Sequence, residues 1–172
     1  MNKVIIIGNS GSGKTWLGRR AAAALEIPYV ALDAIFWEPG GYNRSRSLYE
    51  CEARLREIQD SPGWLVEGVF GHLADALVSF ADTLIFMDLS WEECRENLEK
   101  RGSESSQQLD PVSAERNFRS LLEWASCYAV RDSRASRKYH RLLFDNFQGT
   151  KYRLANREEV VRLLRMIREQ KA

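Results

Sequence analysis

The stretch Lys3 to Thr15, KVIIIGNSGSGKT, leaves this chain few choices of fold. A β-branched run, Val4-Ile5-Ile6-Ile7, passes straight into Gly8-Asn9-Ser10-Gly11-Ser12-Gly13-Lys14-Thr15, which fits G-x-x-x-x-G-K-[ST] at every fixed position. The glycines let the backbone curl so that several N–H groups face one anion. Lys14 adds a mobile positive charge, and Thr15 a hydroxyl of the kind that binds Mg²⁺. The pattern has meaning only between a strand and a helix, and the apolar run before Gly8 and the Ala-rich stretch Trp16 to Leu25 supply both. A helix over Lys14–Leu25 then aims its positive end at the same phosphates. Gly8 through Thr15, with Trp16 behind them, are the candidate nucleotide site.

In an open parallel sheet ligands bind beyond the carboxyl ends of the strands, so acids that end later strands matter. Ile27-Pro28 breaks the first helix, and Tyr29-Val30-Ala31-Leu32 reads as a second strand ending at Asp33. Asp33 then shares an edge with the phosphate loop, either to meet Mg²⁺ or a substrate hydroxyl or to cap the turn. Ala34 to Tyr42 is apolar and aromatic before it breaks at Pro39-Gly40-Gly41. Phe36 and Trp37 there either line a pocket or cover the core. Arg44 and Arg46 follow as candidate grips for an acceptor's anionic group. A helix from about Ser47 to Gln59 has a buried stripe of Leu48, Cys51, Leu55 and Ile58.

Ser61-Pro62-Gly63 turns the chain into a third strand, Trp64 to Gly68, which Glu67 ends with an acid for the metal side. A short helix over Gly71–Ala81 turns Leu73, Leu77 and Phe80 inward. The fourth strand, Thr83 to Asp88, is apolar enough to belong in the middle of the sheet. Asp88 competes with Glu67 for the metal-side role, but the capping box Ser90-Trp91-Glu92-Glu93 claims it for a helix entry, which favours Glu67. Helices are expected over Trp91–Arg101, about Val112–Tyr128 and Arg131–Phe144. A fifth strand follows over Lys151–Leu154, and Asn156 caps a last helix through Arg168. Gly102 to Pro111, GSESSQQLDP, reads as a mobile loop and a short, arginine-free lid over about 102–112. The helices after it carry Arg116, Arg119, Arg131, Arg134, Arg137 and Arg141. These form a solvated basic face, or one or two of them reach a transferring phosphate.

With 25 basic and 24 acidic residues the net charge is +1, so no global field draws the chain onto nucleic acid or an acidic membrane. A length of 172 residues with 44% hydrophobic content suits one domain. No segment approaches the ~20 apolar residues that span a bilayer. The apolar run before Gly8 is too short for a secretory signal. Cys51, Cys94 and Cys127 form no CxxC and read as buried or half-buried free thiols, which implies a cytoplasmic protein.

GNSGSGKT, Leu32-Asp33, Glu67-Gly68 and Leu84-Ile85-Phe86-Met87-Asp88 come in the order used by phosphate-loop kinases related to adenylate, shikimate and gluconate kinases, which this chain resembles. The resemblance is closest to bacterial adenylate-kinase-like topology modulation proteins, which share Leu-Asp-x-Ile-aromatic-Trp and a Pro-Gly turn, here Leu32–Trp37 and Pro39-Gly40. It implies a three-layer α/β fold with a five-stranded parallel sheet in order 2-3-1-4-5, ATP and Mg²⁺ at the loop, and an acceptor region over about 34–60. Carried over, Lys14, Asp33, Arg131 and Arg134 are catalytic, Thr15 and Glu67 hold the metal, and Arg101 contacts the nucleotide. Two departures point away from adenylate kinase activity itself. The lid carries no arginine, and Glu67-Gly68-Val69-Phe70-Gly71 stands where adenylate kinases have Asp-Gly-Phe-Pro-Arg. The expected function is phosphoryl transfer from ATP·Mg²⁺ to a small-molecule acceptor. The alternative is a nucleotide-binding regulatory protein with slow hydrolysis. DNA association, which the topology-modulation label suggests, has no support in the near-neutral charge.

Overall fold

The isoleucine-rich run before the phosphate loop forms strand β1 (Lys3–Gly8), and its side chains alternate between two cores. Val4 and Ile6 enter one, Ile5 and Ile7 the other, and all four are fully buried. A strand covered on both faces belongs at the centre of a parallel sheet. The computed structural model, which describes residues 1–39, 44–102 and 110–169, places it there. β1 pairs in parallel with β3 (Trp64–Gly68) on one side and β4 (Thr83–Met87) on the other. β2 (Tyr29–Ala31) extends the sheet beyond β3, and β5 (Thr150–Leu154) extends it beyond β4. The order is β2-β3-β1-β4-β5, all parallel, as the resemblance implied.

Helices complete three layers. Helix α1 (Lys14–Leu25) and the last helix, α8 (Arg157–Glu169), cover the Val4/Ile6 face with Leu17, Ala21, Leu163, Leu164 and Ile167. On the opposite face lie α2 (Leu32–Phe36), α3 (Leu48–Gln59), α4 (Gly71–Val78) and α7 (Arg137–Asn146), through Ile35, Leu55, Leu77 and Leu143. Helix α5 (Trp91–Arg101) begins at the expected Ser90/Glu93 capping box and buries Cys94 and Leu98. Leu98 meets Phe118 and Ala125 of α6 (Pro111–Ser126) in a third, smaller cluster. No helix among the described residues is long and apolar enough to cross a membrane.

Several local expectations need correction. The second strand stops at Ala31, and Leu32–Phe36 is helical, so Asp33 stands in the first turn of α2 rather than at a strand end. The cause is close packing: Leu32 lies directly on Gly68, where a Cβ would come within 2.7 Å of the Leu32 Cβ. That contact pulls the chain inward and away from the sheet. The expected helix over Arg131–Phe144 begins only at Arg137, where the Ser136 hydroxyl accepts from the Tyr139 amide. Arg131 and Arg134 therefore sit in a loop. Leu48 and Phe80, assigned to buried stripes, are exposed, because Leu48 is the first residue of α3 and Phe80 lies past the end of α4. Cys51 and Cys94 are buried free thiols, whereas Cys127 is exposed at the start of a 3-10 turn.

Candidate functional site

The loop from Gly8 to Gly13 leaves the carboxyl end of β1 and enters α1 with Gly11 and Gly13 in the left-handed region, at φ 79° and 90°. At Gly11 the tight fit against α5 forbids a side chain as well, since a Cβ would lie 2.3 Å from the Cys94 carbonyl oxygen. Three neighbours fix the loop's shape. The Asn97 amide donates to the Gly11 carbonyl at 2.7 Å, Arg157 donates to the Asn97 side-chain oxygen at 2.7 Å, and the Asn9 amide donates to the Ala125 carbonyl at 3.0 Å. Lys14 is buried, with its Nζ turned back on the Asn9 carbonyl at 2.8 Å. Burial holds its pKa below the ordinary lysine value against the pull of Glu67 and Asp33. The Ser12 hydroxyl is buried with no hydrogen-bond partner among the described residues. An unpartnered hydroxyl and a lysine resting on a backbone carbonyl, within a curled glycine loop, make a donor set that fits the phosphates of a nucleotide.

Glu67 reaches this loop from β3, where it pairs with Ile6. Thr15 Oγ1 donates to Glu67 Oε1 at 2.9 Å, and the Tyr29 hydroxyl donates to the same oxygen at 2.7 Å. Burial, then the Glu67 carboxylate, push the Tyr29 pKa above its ordinary value, so it remains a donor. A hydroxyl and a carboxylate at one corner of a phosphate loop suit Mg²⁺, which takes one or two protein oxygens and completes its shell with phosphate oxygens and water. Asp88 is engaged elsewhere. Arg137 donates to it at 2.6 and 3.0 Å, and Arg153 at 2.9 and 2.6 Å. Burial alone would raise its pKa, but these two guanidiniums hold it below the usual carboxylate value. Asp88 thus fastens α7 and β5 to the end of β4. Asp88→Ala should cost about 3 kcal/mol, the low end for a broken buried pair, because both arginine side chains keep nearly half their surface in water. The urea midpoint is expected to fall with the slope unchanged, while nucleotide still raises Tm.

The structure brings Asp33 into the same cleft as Lys14, Thr15, Trp16, Glu67 and Arg101, a space of about 1470 Å³. The Asp33 carboxylate is half-buried and makes no hydrogen bond among the described residues. Burial and the neighbouring Glu67 raise its pKa to about 6, against the opposing pull of Lys14 and Arg101. Arg131 does not line the cleft, but its guanidinium stacks 3.6 Å over Trp124, which does. Its three guanidinium nitrogens are buried and make no hydrogen bond among the described residues. Arg134 is not brought to the cleft: it lies 5.9 Å from the Tyr139 ring, beside Asp132 and Lys138. Arg44 pairs with Glu38 at 3.1 Å, and Arg46 donates to the carbonyls of Ala34, Ile35 and Trp37. Residues 103–109 of the expected lid and 40–43 of the aromatic segment lie outside the described residues.

Sequence reading missed Tyr29, Asn97, Trp124 and Arg157, whose parts depend on folding and carry no local pattern. It also left out a buried relay behind the cleft. His140 is fully buried, and burial lowers its pKa to about 3, so the ring is neutral. The Tyr128 hydroxyl donates to its Nδ1 at 2.6 Å, and its Nε2–H donates to the Val69 carbonyl at 3.0 Å, which anchors the segment that follows β3.

A scan against protein-family models and a search of curated proteins each gave no match. Solved structures do match. A gluconokinase from Sinorhizobium meliloti 1021 is 18% identical over 98% of this chain and 92% of its own, with a TM-score of 0.52. A shikimate kinase from Acinetobacter baumannii, in complex with shikimate, is 17% identical over 99% and 95%, with a TM-score of 0.53. A deoxyadenosine kinase from M. mycoides with bound dATP is 11% identical over 95% and 97%, with a TM-score of 0.52. At these identities the likeness establishes the fold, which is that of phosphate-loop kinases.

Proposed function

We propose that this protein is an ATP·Mg²⁺-dependent phosphotransferase acting on a small hydroxyl- or phosphate-bearing acceptor. One observation carries the reading: a single cleft at the carboxyl edge of the sheet holds Lys14, the Thr15–Glu67 pair and the unengaged Asp33 carboxylate. A switch protein that only hydrolyses nucleotide has no need of an acid facing the phosphate loop from the next βα unit. The kinase names borne by structures of the same fold agree with it. On the Leu32–Trp37 and Pro39-Gly40 segment we further group the chain with the adenylate-kinase-related topology modulation proteins.

In this mechanism the loop amides bind the phosphates, and Lys14 leaves the Asn9 carbonyl to join them. The Thr15 hydroxyl and Glu67 would hold the metal, which would supply charge neutralisation to the phosphates. Arg101 and Arg131 turn toward the transferring group and offset its developing negative charge. Asp33 accepts the proton of the attacking hydroxyl. The Asp33 pKa of about 6 sets the sign of the pH dependence. Below it the carboxyl is protonated and cannot act as a base, so kcat/KM should fall about tenfold per pH unit on the acid side and level off above it. A pH profile that is flat down to pH 5 would remove Asp33 from this role.

The decisive assay supplies γ-labelled ATP with nucleosides, nucleoside monophosphates, sugars and small alcohols. Label in an acceptor is the expected result. Release only as inorganic phosphate, unchanged by every acceptor, would instead favour the regulatory NTPase.

A further inference from the structure

We propose that the acceptor is an uncharged nucleoside, whose planar base packs on Phe36, Trp37 and Phe70 while a sugar hydroxyl reaches Asp33. The inference rests on the phosphotransfer reading above and narrows its acceptor. The three aromatic residues are half-buried and all line the cleft. Phe36 and Phe70 stack with ring centroids 4.2 Å apart, and Trp37 stands edge-on to Phe36 at 4.8 Å. The wall is braced from behind. Trp37 bridges to Ser45 in an antiparallel pair, the Glu38 amide donates to the Arg44 carbonyl at 2.9 Å, and the Arg46 amide donates to the Phe36 carbonyl at 2.8 Å. A rigid aromatic surface beside an acid suits a flat heterocycle joined to a hydroxylated ring, and offers little to a polyol.

Charge on this wall favours an uncharged acceptor over an anionic one. Its two cations are committed: Arg46 to the backbone carbonyls that end α2, and Arg44 to Glu38. Neither Gly40–Asn43 nor Ser103–Leu109 contains a lysine or arginine. Burial and the nearby Arg134 lower the His72 pKa, so the ring beside Phe36 and Phe70 is neutral at pH 7. Arg44 already neutralises Glu38, Arg134 lies behind His72 and outside the cleft, and the cations that act on Asp33 are Lys14 and Arg101, which the reading above gives to the nucleotide's phosphates, so the wall itself offers an acceptor's phosphate or carboxylate no cation of its own. Arg131 stands apart, on Trp124 of α6. In the reaction the sugar hydroxyl oxygen forms a bond to the γ-phosphorus of ATP, and the bond from that phosphorus to the β,γ-bridging oxygen breaks. The bridging oxygen leaves with the electron pair as part of ADP, and the hydroxyl proton passes to Asp33.

The test uses the full chain with γ-labelled ATP and Mg²⁺. The acceptors are nucleosides of each base, their 5′-monophosphates, and ring-free polyols including gluconate. Label is expected in a nucleoside, with kcat/KM at least tenfold above its own monophosphate and above every polyol. Preferred labelling of a monophosphate or a polyol would overturn the nucleoside assignment and leave phosphotransfer standing. Inorganic phosphate as the only product would overturn both. Phe70→Leu keeps apolar bulk and removes the ring, so KM for the nucleoside should rise about tenfold while KM for ATP stays within twofold. An unchanged nucleoside KM would show that the ring only fills the core.

Discussion

Lys14→Ala is expected to abolish the rise in Tm produced by ATP with Mg²⁺ and to lower phosphoryl transfer about 10³-fold, near the top of the range for removing a preorganised transition-state donor. The prediction follows from where the ammonium rests. It is buried, its pKa is pulled down by burial, and a single backbone carbonyl 2.8 Å away replaces the water it has lost. Such a group gains most when an anion enters its cavity, because Coulomb attraction is strong where the dielectric is low. The variant should fold, since alanine removes the desolvation cost along with the one hydrogen bond. Differential scanning fluorimetry with and without nucleotide is the direct readout. A full Tm shift in the variant would mean that the nucleotide binds elsewhere.

Asp33→Asn should act on the other half of the reaction. The substitution keeps the shape of the side chain and removes its ability to take a proton, so kcat should fall about 10²- to 10⁴-fold with the nucleotide-induced Tm shift preserved. Because burial and Glu67 already raise the Asp33 pKa, the neutral amide relieves an electrostatic penalty, and the free protein should be slightly more stable at pH 7. The sign follows from linkage. Folding raises this carboxyl's pKa, so its charged form opposes the folded state progressively as pH climbs from the ordinary carboxylate value to about 6, and by a constant amount above it. A variant with normal kcat would leave Asp33 as a structural acid at the head of α2. Loss of the Tm shift together with kcat would instead place it on the nucleotide side.

The sheet was legible because its signals are local. Ile5 and Ile7 alternate with Val4 and Ile6 in a run that can only be buried on both faces, and Gly8 to Thr15 requires a strand before it and a helix after it. The capping box at Ser90 was equally plain. What escaped depends on contacts between distant segments. The end of β2 was misplaced because Leu32 packs on Gly68 from another strand, and no propensity of Leu32-Asp33 announces that. Arg131 and Arg134 look equivalent in sequence, three residues apart. The fold sets one over Trp124 beside the cleft and turns the other toward Tyr139, outside it. The choice between Glu67 and Asp88 was open for the same reason: the arginines that occupy Asp88 come from α7 and β5.

The bracing of the phosphate loop has a consequence for biosynthesis. Gly11 is held by Asn97, Asn97 by Arg157, and Asn9 by Ala125, while β1 hydrogen-bonds to strands that begin at Trp64 and Thr83. The loop therefore emerges from the ribosome well before the residues that brace it, and the last of them, Arg157, is supplied by α8.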